Sequence, residues 1–229
     1  MFHPEDILYE DNHLLAVNKR AGDLVQPDPD GSTALETEIR AFLKHRGGKP
    51  GEAFLGVVHR IDRPVSGVVL FAKTGKALAR LNAMLREGRI DKTYWAITER
   101  APAETQGRLR HYIARDGRAN ISRAHEKPTP GSREALLDYR LLCSGERCHL
   151  LEIRLLTGRH HQIRAQLSAV GCPIRGDLKY GAARSNRGGG ISLHSRATEF
   201  VHPVRNELLR IVAPPPGDNL WAFFEKQTG

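Results

Sequence analysis

Apolar residues in this chain recur mostly at a spacing of two, broken by a few stretches at helical spacing. Residues 7–17, ILYEDNHLLAV, read as a strand, a turn at Asp11-Asn12 and a second strand, which is a hairpin. Leu35, Ile39, Phe42 and Leu43 share one helical face within 33–46, with Thr33 placed to cap it and Gly47-Gly48-Lys49-Pro50-Gly51 to end it. Val57-Val58 and Gly67–Ala72 are short apolar runs flanking a polar turn, the pattern of buried strands. Thr74 then opens an amphipathic helix: Leu78, Leu81 and Leu85 fall on one face, Lys76, Arg80 and Arg86 lie off it, and Gly88 stops it.

Thr93–Thr98 is rich in β-formers, with Lys92, Tyr94 and Ala96 on one strand face and Thr93, Trp95 and Ile97 on the other. Residues 115–133 are polar and broken by Gly117, Pro128, Pro130 and Gly131, predicting a mobile loop or ragged hairpin. Leu136–Leu142 and His149–Leu156 form a further strand pair. His161–Val170 is helical, with Ile163, Leu167 and Val170 on one face and Gly171 at its end. Asn186–Gly190 reads as a linker. Ile191–His194, Thr198–Val201 and Leu208–Val212 are expected strands, followed by Ala213-Pro214-Pro215-Pro216. No repeat or obvious linker divides the chain, so the expectation is an α+β fold, strand-rich, over one unit spanning 1–229.

Composition narrows the class. With 40% hydrophobic and 27% charged residues among 229, the chain is globular rather than disordered or fibrous. No window approaches the length of uncharged apolar residues that spans a membrane. The N-terminus, MFHPEDILYED, is acidic and lacks an apolar core, unlike a targeting segment, which predicts a cytoplasmic protein. Three cysteines, Cys143, Cys148 and Cys172, predict reduced structural thiols; a metal site at Cys143, Cys148 and His149 lacks a second ligand pair. Net charge is +9, unevenly spread: residues 1–40 hold 3 basic and 9 acidic groups, residues 151–210 hold 10 and 4. A basic body suits a polyanion, nucleic acid first.

Three segments set polar residues beside apolar strands. In His59-Arg60-Ile61-Asp62-Arg63-Pro64-Val65-Ser66-Gly67, an aspartate is bracketed by arginines at a turn, either an ionised nucleophile or a salt-bridged turn. In Lys92-Thr93-Tyr94-Trp95-Ala96, the tyrosine can stack on a base, move a proton or simply pack. In Thr157-Gly158-Arg159-His160-His161-Gln162-Ile163-Arg164, two arginines meet a helix start, an arrangement suited to phosphate.

Together these stretches resemble the RluA-type pseudouridine synthases, over Ile7 to about Pro216. HRIDRPVSGVVLFAKT is similar to that family's catalytic motif, DKTYWA to its K-x-Y-x-A strand, and TGRHHQIR with GCPIRGDLKYG to its later motifs. ILYEDNHLLAVNK resembles its opening hairpin, and LHSRATEFVHPV followed by APPP its closing strands. Arg20 and His160 depart from the usual residues of the pattern, which bears on substrate contacts rather than chemistry.

The resemblance implies a long, mainly antiparallel sheet flanked by helices, a central active-site cleft, and isomerisation of uridine in ribosomal or transfer RNA. The N1–C1′ bond breaks and C5 joins C1′, with no cofactor and no metal. It assigns Asp62 as the catalytic carboxylate, Tyr94 to stack on the uracil, and Arg164, with Arg159 second, as the carboxylate's partner. Arg60 is assigned to the position of the flipped-out base. Arg63, Arg159, His161 and Gln162 are expected among the RNA contacts. A single chain working as a monomer, without the separate N-terminal RNA-binding domain of some family members, is the expectation. Two other classes remain open: an RNA-binding protein without activity, and a metal phosphohydrolase using His59, Asp62, His160, His161, His194 and His202, for which no ligand spacing speaks.

Overall fold

A computed structural model describes residues 2–28, 31–47 and 53–228, so most of the predicted GGKPG stop lies outside the described residues. The elements run β1 (Ile7–Glu10), β2 (Leu14–Lys19), α1 (Leu35–Gly47), β3 (Gly56–Val57), β4 (Ser66–Ala72), α2 (Gly75–Arg86) and β5 (Asp91–Thr98). They continue with β6 (Gln106–Asp116), β7 (Ile121–His125), β8 (Arg133–Ser144), β9 (His149–Leu155), α3 (Gln162–Ala169), β10 (Leu193–Val201), β11 (Leu208–Val212) and α4 (Asn219–Thr228). The chain divides into two compact units, Met1–Ile90 with Ser195–Pro214, and Asp91–His194 with Pro215–Gly229.

In the first unit the strands order as β1-β2-β4-β10, with β3 on β4 and β11 on β10. Strand β4 is buried along its whole length and Leu14–Val17 of β2 are fully covered, so both read as continuous apolar runs rather than alternating ones. Helix α2 lays Ala77, Leu81 and Met84 on Leu14, Ala16, Val68 and Leu70. Its ends are as predicted: the Thr74 hydroxyl accepts from the Ala77 N–H at 3.2 Å, and Gly88 at φ +69° lets the Arg89 N–H return to Met84. Helix α1 begins differently. The N–H groups of Leu35 and Glu36 bond the carbonyls of Leu24 and Val25, doing the work expected of a Thr33 cap.

In the second unit the order is β5-β9-β8-β6-β7, each pairing antiparallel. Trp95 and Ile97 of β5 pack with Leu150, Trp221 and Phe224, so α4 covers one face of the sheet. Helix α3 packs on β6 and β7. Further features differ from the sequence reading. Residues 115–125 belong to the regularly paired hairpin of β6 and β7, turned at Asn120 in the left-handed region at φ +48°, while 126–132 form the connection to β8. Strand β6 itself went unpredicted because its outward residues are arginines, and Arg108 and Arg110 are matched to Asp138 and Glu134 on β8. Finally, β10 is one continuous strand, and α4 follows Asp218, whose carboxylate accepts from the N–H groups of Leu220 and Trp221. No helix among the described residues is long and apolar enough to cross a membrane.

Candidate active site

The predicted residues fall into both units: Arg60, Asp62 and Arg63 in the first, Tyr94, Arg159, His161, Gln162 and Arg164 in the second. In the first unit, Asp62 sits half-buried in the turn between β3 and β4, where its carbonyl accepts from the Val65 N–H at 3.0 Å. That turn is fastened to the loop after β2. The Gly22 N–H donates to the Arg63 carbonyl at 2.8 Å, and the Arg63 Nε returns a bond to the Gly22 carbonyl at 3.0 Å. Gly22 is at φ +99°, a backbone shape that glycine adopts without strain.

The centre of the fastening is Lys19, only 1% exposed at the end of β2. Its ammonium donates to the carbonyls of Arg20, Asp23 and Arg63 at 2.9, 2.8 and 3.1 Å. Burial pushes its pKa from 10.5 down to about 8, while the carboxylates of Asp23 and Asp62 pull the other way. Lys19 was not among the residues predicted from sequence. The available signal was a lysine closing the apolar run LLAVNK, a position where a charge must find internal partners. Arg60 and Arg63 are exposed on the same turn. At its far end Gly67, at φ +112°, lets β4 approach β10: a Cβ there would lie 2.3 Å from the Ser195 carbonyl oxygen.

In the second unit the stretch from Thr157 to Arg164 is organised from within. Gln162, expected to touch RNA, is instead 3% exposed and holds the loop together. Its amide oxygen accepts from the Arg159 N–H at 3.0 Å and the Thr157 hydroxyl at 2.8 Å, and its NH2 donates to the Leu136 carbonyl at 3.0 Å. Arg159 bends away, its Nε donating to the Glu134 carbonyl at 2.9 Å.

Arg164 is 4% exposed, and Asp177 receives its guanidinium in a two-point fork, Nε to Oδ2 at 2.7 Å and Nη2 to Oδ1 at 2.9 Å. Tyr180 lies under the same guanidinium, 4.8 Å from ring centre to Cζ. Arg164 is thus fixed in plane by one side chain and from its face by another, both from the GDLKY segment. Tyr180 also fixes its surroundings. Its hydroxyl accepts from the Ser122 N–H at 2.7 Å and bonds His161 Nδ1 at 2.8 Å, while His160 Nδ1 meets the Ser122 hydroxyl at 2.9 Å. Burial, with the Arg164 charge beside it, drives the His161 imidazole down to about 3, so the ring is neutral at physiological pH. His161 also takes the left-handed backbone at φ +51°, a strain held by this network at the start of α3.

Tyr94 is 6% exposed on β5, paired with Ile153 of β9. The functional residues that sequence reasoning missed in this unit are Asp177 and Tyr180; both stood in a stretch matched to the family, with no pattern to say which arginine they would hold.

Comparison with known proteins shows the family. Residues 13–169 match the family described as RNA pseudouridylate synthase. The chain is 36% identical over 217 residues to the uncharacterized RNA pseudouridine synthase YhcT of Bacillus subtilis, covering 93% of this chain and 69% of that one. It is 35% identical over 231 residues to the ribosomal large subunit pseudouridine synthase D of Xylella fastidiosa, covering 94% and 67%. A solved structure, human RNA Pseudouridylate Synthase Domain Containing 4, superposes with a TM-score of 0.80 at 23% identity, over 98% of this chain and 93% of that one, which carries the fold. The chain therefore belongs to the RNA pseudouridylate synthase family, in its RluA group, and is an isomerase acting on uridine in RNA.

Proposed function

We propose that Asp62 is the carboxylate that attacks the target nucleoside, that Arg164 supplies its countercharge, and that Tyr94 stacks on the uracil while Arg60 takes the place of the flipped base. The observation that carries this reading is the turn bearing Asp62. A buried ammonium, a returned pair of backbone and guanidinium bonds, and a left-handed glycine all fix its backbone. Such preorganisation is what a reacting carboxylate needs, since a misplacement of about 1 Å costs on the order of a hundredfold in rate. Arg164 is equally fixed, and its charge is already shared with Asp177, which leaves it a directed donor rather than a roaming cation.

The substrate we infer is large-subunit ribosomal RNA, with transfer RNA as the alternative outcome. Two relatives carry the printed names ribosomal large subunit pseudouridine synthase D and C. Three unpaired cysteines, two of them buried, suit work in a reducing cytoplasm. The test is tritium release from [5-³H]uridine-labelled RNA, ribosomal and transfer pools separately. Wild type should release tritium from the ribosomal pool, and Asp62→Ala and Asp62→Asn should release none while still binding it. Turnover by either variant refutes the role of Asp62; release from transfer RNA alone refutes the substrate.

A further inference from the structure

Among the described residues, the buried lysine and arginine are answered by the protein, whereas a half-buried lysine is not. Lys19 has three carbonyls and Arg164 has a carboxylate and an aromatic face. Lys92, half-buried on β5, has no hydrogen bond or ion pair among the described residues. Burial lowers its pKa, and no opposing carboxylate restores it. It shares a strand face with Tyr94, two residues on.

A second observation lies at Gly158, exposed in the loop that Gln162 holds in shape. Its backbone is not in the left-handed region, so no conformational demand calls for glycine. Nor does packing call for it. Around a Cβ built there, and leaving its chain neighbours aside, the single atom of the described residues within 4 Å is Lys92 Nζ, at 3.7 Å. The missing side chain therefore leaves open space directly against an unanswered ammonium.

We propose that this space is a phosphate subsite, in which Lys92 binds a backbone phosphate of the substrate RNA over the bare backbone of Gly158. A phosphate supplies the negative charge that the site lacks, and glycine lets it come close. The assignment deepens the reading of the Tyr94 face as the substrate side and rests on it. Its readout is binding, so it fails separately from the Asp62 assignment, which is read by turnover.

The experiment is filter binding of labelled total RNA to Lys92→Met across a salt series, with Lys92→Arg and Gly158→Val beside it, all made in Asp62→Asn. Losing one phosphate contact should weaken binding several-fold and flatten the slope of log affinity against log salt by about 0.7 to 0.9. Lys92→Arg should keep the wild-type slope, and Gly158→Val should weaken binding by filling the space. The thermal midpoint of free Lys92→Met should stay level or rise, since the ammonium has no internal partner to lose. An unchanged affinity and slope overturns the subsite. A weaker affinity at unchanged slope assigns Lys92 to a neutral group of the base and overturns the phosphate. A fallen midpoint makes Lys92 structural and overturns it as well.

Discussion

Replacing Lys19 with methionine separates two consequences that a buried lysine usually confounds. In the folded protein the ammonium titrates near 8, against 10.5 for a free lysine. Below pH 8 the fold carries a buried charge at a net cost; between about 8 and 10.5 the unfolded chain holds a proton that the native chain has released, so native stability rises with pH. From pH 7 to pH 10 the shift amounts to about 2 to 3 kcal/mol. Methionine removes that penalty but also removes three bonds. The Arg63 carbonyl keeps the Gly22 N–H and the Arg20 carbonyl keeps the Asp23 N–H, while the Asp23 carbonyl loses the bond from the ammonium. Losing hydrogen bonds to a charged group costs about 1.5 to 3 kcal/mol. At pH 7 the two effects nearly cancel, and Lys19→Met should unfold in urea within about 2 kcal/mol of wild type. At pH 10 the penalty in wild type is largely gone, and the variant should be the less stable by about 2 to 3 kcal/mol more than at pH 7. Turnover should fall at least tenfold at both values, because the turn bearing Asp62 has lost its anchor. Urea curves of both proteins at pH 7, 8, 9 and 10 check this, with the other titrations cancelling in the difference. A stability gap that stays constant with pH refutes the reasoning.

Two further substitutions test the supports of the site. Asp177→Ala removes the fork that holds a buried guanidinium and should cost about 3 to 5 kcal/mol by chemical denaturation; Asp177→Asn should fold better yet lower kcat with little change in KM, measured by tritium release, and an unchanged kcat would show that Arg164 needs no orientation. Gly67→Ala combines φ +112° with a Cβ 2.3 Å from the Ser195 oxygen; it should destabilise by more than about 3 kcal/mol, and a thermal midpoint within a degree or two of wild type would contradict the geometry.

Much of the fold was legible because the period of the apolar residues matched one element at a time. The opening hairpin, α2 with its Thr74 cap and Gly88 stop, and the β8–β9 pair all follow from local rules. What escaped depends on partners distant in sequence. The arginines that hid β6 are neutralised across the sheet by β8, and Ser122 orders the β7 hairpin through a tyrosine 58 residues on. The site divides the same way. The motif residues could be named from their order along the chain, whereas the role of Gln162 could not. A glutamine beside two arginines reads as a polar contact for RNA, and only its three internal bonds show it to be the brace of the loop.

Three cations end in different environments, and the difference decides what each can do. Lys19 meets neutral carbonyls, which hold it in place without cancelling its charge; the energy of desolvation remains, and the pKa falls. Such a group fastens a loop and leaves a positive field on Asp62. Arg164 meets a carboxylate in a two-point fork, which shares its charge and fixes its direction. A cation held that way serves orientation, and its removal is felt mainly through what it no longer aligns. Lys92 meets nothing among the described residues, so its desolvation is repaid only when something binds. Stability measurements on the free protein should therefore rank the three oppositely to binding measurements: loss of the Arg164 pair the most damaging to folding, loss of Lys92 the most damaging to RNA affinity per charge removed. The reverse ranking would mean that buried charge here serves the fold alone.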